Sequence, residues 1–69
     1  MNWKYGIVYD EPADEFIVAE IYYRKDKPVS YREAELVSSR LIELEDILLT
    51  LIEQIIKQRY LVYNGKELK

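Results

Sequence analysis

The 69-residue chain has neither cysteine nor histidine. Their absence excludes disulfides, zinc sites built on thiolate or imidazole, and Ser-His or Cys-His nucleophilic catalysis. Glycine and proline occur twice each, too few for a phosphate-cradling glycine loop and far from a disordered composition. No apolar run approaches the ~20 residues of a membrane span. The opening Met1-Asn2-Trp3-Lys4 does not read as a signal peptide, so a cytoplasmic protein is expected. A net charge of −3 argues against a general nucleic-acid binder, whose affinity comes from neutralising phosphates. A lone carboxylate without a second acid or a histidine beside it is a poor general acid or base. No catalytic, metal-binding or cofactor-binding residue is expected, and the chain reads as a non-enzyme.

What is present is a folding sequence, 49% hydrophobic with seven tyrosines. One domain of this size buries only about 60% of the surface its unfolded chain exposes. With disulfides and metals excluded, oligomerisation is the remaining route to stability. Sparse Asn, Gln and Met beside abundant Ile, Glu and Lys hint at a thermophilic source.

Trp3, Tyr5, Ile7 and Tyr9 alternate with Lys4 and Gly6, a strand signal over 3–10. The polar stretch Asp10-Glu11-Pro12-Ala13-Asp14-Glu15 breaks the pattern and lacks the spacing of a calcium loop, so it reads as a solvated connection. A second strand spans 15–24, with Ile17, Ala19, Ile21 and Tyr23 on one face. Pairing Tyr9 with Ile17, Ile7 with Ala19, Tyr5 with Ile21 and Trp3 with Tyr23 makes the odd-numbered face the core. Glu20 then points outward, within reach of Lys4. Arg24 to Pro28 forms a turn, and a third strand is expected over 29–34, pairing Val29 with Tyr23 and Tyr31 with Ile21. Ser30-x-x-Glu33 matches a capping box, but Ser38 and Ser39 offer later N-caps, and the helix is placed at 38–59. Residues 60–69 read as an extended tail.

The pattern Trp3-x-Tyr5-x-Ile7-Val8, then Phe16-x-Val18-x-Glu20-Ile21-Tyr22-Tyr23, a polar turn and Pro28-Val29 resembles a family of small proteins of bacteria and their phages that has no established activity. The likeness covers residues 3–34 in motif and the remainder in layout. Gly6 stands where that family usually has Arg, and Lys27 replaces its turn glycine. The resemblance implies topology and a phage or mobile-element connection, not chemistry.

The expected architecture is therefore α+β, a three-stranded antiparallel meander packed on one long amphipathic helix. In that helix Leu41, Leu44, Leu48, Leu51 and Ile55 follow a 3,4 spacing, flanked by Ile42, Leu49, Ile52 and Ile56 on one side and Ile47 on the other. At 100° per residue the apolar arc covers about 220°, where an ordinary surface helix needs nearer 100°. The excess points to a homodimer or higher oligomer, with Ile42, Leu49, Ile52 and Ile56 as its contact. A second candidate surface gathers Tyr22, Arg24, Lys25, Tyr31 and Arg32, the residue types of interface hot spots and base-stacking platforms. The functional expectation is a small interaction protein that binds a host protein. A small-ligand or single-stranded nucleic-acid binder using the Tyr/Arg surface is the alternative.

Overall fold

The computed structural model describes residues 2–69. In chain order it contains β1 (Asn2–Asp10), β2 (Glu15–Arg24), β3 (Lys27–Glu33), α1 (Leu41–Lys57) and β4 (Leu61–Tyr63). The fold is α+β, and the antiparallel β1-β2-β3 meander followed by a helix is present. The sheet, however, has four strands in the order β3-β2-β1-β4, and β4 pairs parallel to β1. The tail beyond β4 turns at Asn64-Gly65 and returns, so that Val62 and Lys69 exchange backbone hydrogen bonds. Gly65 takes φ +98° there, a conformation that costs glycine little.

The sheet is curled. Tyr31 on one edge strand and Tyr63 on the other bring their rings to 5.4 Å, so the face they share is concave. That face holds the core: Val8, Ala19, Ile21, Leu61 and Leu68 are buried, with Ile17, Tyr23, Tyr31 and Tyr63 packed against them.

This corrects the expected register by one residue. Tyr9 pairs with Phe16, Ile7 with Val18, Tyr5 with Glu20 and Trp3 with Tyr22. The slip moves β1's odd-numbered side chains to the convex face, while Ala19 and Ile21 remain in the core as expected. Trp3 is half exposed, and Tyr5 and Ile7 are only partly buried. The physical reason is room. Inside the curl Gly6 lies so close to β2 that a Cβ on it would sit 2.7 Å from Cδ1 of Ile21. Small residues line this stretch of the concave side, and the bulky aromatics of β1 take the convex one. There Trp3 packs edge-on to Tyr5, and Phe16 packs against Tyr9 and Tyr60.

Both hairpin turns use left-handed backbone at non-glycine positions. Asp14 closes the first, where its carboxylate accepts a hydrogen bond from the Tyr9 hydroxyl. That bond holds the phenol's pKa above its ordinary value. Lys25 and Asp26, at φ 51° and 64°, form the two-residue turn between Arg24 and Lys27, the geometry of a type I′ hairpin. The third strand starts two residues earlier than expected. Tyr31 pairs with Ile21 as expected, but a bulge at Val29 puts Pro28, not Val29, opposite Tyr23.

The helix is shorter than the 38–59 expected, running from Leu41 to Lys57 with Arg40 at its N-cap. The Ser30–Glu33 capping box is unused, because Ser30 lies inside β3. Ser38 works from just outside the helix instead: its hydroxyl accepts the Arg40 N–H at 3.1 Å and donates to Glu43 at 2.9 Å. Among the strands, the helix backbone comes close to β1 alone. No helix among the described residues is long and apolar enough to cross a membrane.

Candidate interaction surface

On the helix only Leu51 is buried, at 7% exposure. Leu44, Ile47, Gln54 and Ile55 flank it, partly buried. Of the 3,4-spaced row only Leu44, Leu51 and Ile55 are at least partly buried, and Leu41 and Leu48 stand exposed. Ile42, Leu49, Ile52 and Ile56 are 59%, 58%, 52% and 78% exposed. Together with Leu41 and Leu48 they form an apolar strip about 120° wide at 100° per residue, interrupted at its centre by exposed Glu45. Isolated exposed leucines are ordinary on a soluble protein, whereas a strip of six Leu and Ile side chains marks a contact surface. The strip is bordered on one side by a polar edge of Glu43, Asp46, Thr50, Glu53 and Lys57.

The second candidate set is not brought together as one surface. Tyr22 and Arg32 meet on the convex face, both bound to Glu20. The Tyr22 hydroxyl donates to Glu20 Oε1 at 2.7 Å, and Arg32 Nε donates to the same oxygen at 3.0 Å. Arg32 Nη2 reaches Oε2 at 3.4 Å. These donors hold the Glu20 carboxyl below the ordinary carboxylate range, the tyrosine bond contributing most and the arginine next. The Glu20 side chain is 14% exposed. The expected Lys4 partner instead lies on the concave side, 5.5 Å over the Tyr23 ring. Tyr31 faces the concave side beside Tyr63, and Arg24 and Lys25 sit at the exposed turn. Tyr22 and Arg32 are thus committed to an internal carboxylate, and Tyr31 to the core. The register of β3 carried the missed signal: pairing Tyr31 with Ile21 places Arg32 opposite Glu20.

Among the described residues no group of three or more acidic side chains is arranged to hold a metal ion. The acidic residues of the β1–β2 connection bond locally: Asp10 Oδ1 accepts from the Ala13 N–H at 3.4 Å, and Asp14 is engaged by Tyr9. Comparison with protein-family models, with curated proteins and with solved structures gave no match.

Proposed function

We propose that this chain is a small, non-enzymatic interaction protein that self-associates through the outer face of α1 and acts by binding another protein. The observation that carries the reading is the exposed strip of Leu41, Ile42, Leu48, Leu49, Ile52 and Ile56 on a helix that buries a single residue. Full burial of each such side chain is favourable by ~1.5–3 kcal/mol, so a modest symmetric contact supplies stability that a small core lacks. A lipid surface fits the strip less well than protein does. The polar edge carries Glu43, Asp46 and Glu53 against a single Lys57, whereas interfacial helices are rich in lysine and arginine there. An enzyme reading has no support from the residues, since the partly buried carboxylates are engaged locally, Glu20 by Tyr22 and Arg32 and Asp10 by the Ala13 N–H.

Sedimentation equilibrium at low micromolar concentration tests the proposal. The unmutated chain should run at twice its 8.3 kDa mass or more, and Leu49→Glu should run as a folded monomer. An unmutated chain that sediments as a soluble monomer would refute it.

A further inference from the structure

We infer that the second copy lays its helix antiparallel to the first, about a two-fold axis passing near Leu49 and Ile52. This rests on the self-association proposed above and adds the orientation of the partner.

Glu45 decides the matter. At 100° per residue it falls between Ile52 and Leu49 around the helix, inside the apolar strip. It is the one charged side chain there, it is exposed, and no ion pair holds it among the described residues. In a parallel pair Glu45 would meet Glu45 of the second copy within a closing apolar seam. Like charges brought together out of water are strongly unfavourable. In the antiparallel pair the two carboxylates lie about 17 Å apart along the axis, from 1.5 Å of rise per residue. Each then faces Ile56 of the second copy, next to that copy's Lys57 and Arg59. At the centre Leu49 covers Ile52 twice, once in each direction.

The distribution of charge along the element favours the same arrangement. Glu43, Glu45 and Asp46 crowd its first half, Lys57 occupies the last turn, and exposed Arg59 follows. Arg40, at the other end, is engaged by Glu43 at 3.6 Å. Antiparallel packing sets the acidic half against the basic end and opposes the two helix dipoles head to tail. The like-charge approach that remains, Asp46 near Glu53 of the second copy, falls on the solvated rim, where salt screens it. Closed two-fold symmetry is satisfied because the strip complements itself.

The chain has no cysteine, so single cysteines can be placed cleanly at two exposed positions of the strip. Ile42→Cys and Ile56→Cys are prepared separately, one carrying a mass tag, then mixed and treated with a short bis-maleimide. Residues 42 of two antiparallel copies lie about 25 Å apart, so the 42–56 product should exceed the 42–42 product at least about tenfold. A dominant 42–42 product would overturn the orientation and leave the self-association standing. Sedimentation as a dimer with neither product formed would remove the helix strip as the interface, and with it both readings. Sedimentation as a monomer would do the same.

Discussion

The concave face of the sheet and the outer face of the helix are both apolar, and they are built differently. The concave face uses residues of graded size, from Gly6 and Ala19 through Val8 to Ile21 and Leu61, and it closes on itself. The helix strip uses Leu and Ile around one glutamate, Glu45, and is open along its whole length. A surface matched in shape to its own chain is a core. One of uniform large side chains, left exposed and centred on a single acidic residue, has the form of a contact made with something else.

The largest effect expected belongs to the core. Ile21 is 3% exposed and packs where β1 and β2 approach most closely. Ile21→Ala should lower the unfolding free energy by ~2–5 kcal/mol, read from the urea midpoint. A loss below ~1 kcal/mol would mean the concave face packs no better than the helix strip.

Glu20 gives a smaller effect with a defined pH dependence. Its folded-state pKa is lowered, first by Tyr22 and then by Arg32. The stabilisation is therefore fully present above the unfolded carboxyl value of about 4.5 and disappears as pH falls through the lower folded value. Glu20→Gln should melt below the unmutated protein at pH 7, and the gap should narrow as pH drops below about 4.5. A gap of constant size down to pH 3 would contradict the pairing.

The smallest effect on folding is expected at the strip. Leu49→Glu should abolish the proposed self-association, yet it should change the unfolding free energy of the dissociated chain by no more than ~0.5 kcal/mol.

The same contrast explains what could be read from the sequence. The three meander strands and the helix followed from alternation and from the 3,4 spacing, whereas Ser38 and Ser39, expected as N-caps, lie before the true N-cap, Arg40. The register of β1 did not, because both of its faces are apolar: Tyr5, Ile7 and Tyr9 on one, Gly6 and Val8 on the other. Periodicity counts hydrophobicity and prefers the aromatic side, whereas a tight curl selects for small residues. Gly6 opposite Ala19 was the signal of close approach. Strand β4 was missed for a different reason: it is three residues long and pairs in parallel with a strand some fifty positions earlier, a non-local contact that no short motif encodes. The helix strip was legible because 220° of apolar arc exceeds what one small sheet can cover, whichever way that sheet faces.

Amide hydrogen exchange of the unmutated protein, followed as a function of protein concentration, tests the distinction between core and contact most directly. Amides of α1 (Leu41–Lys57) should gain protection as concentration rises, and those of β1 and β2 should gain it only where they exchange through global unfolding. Helix amides whose exchange is independent of concentration would contradict the account.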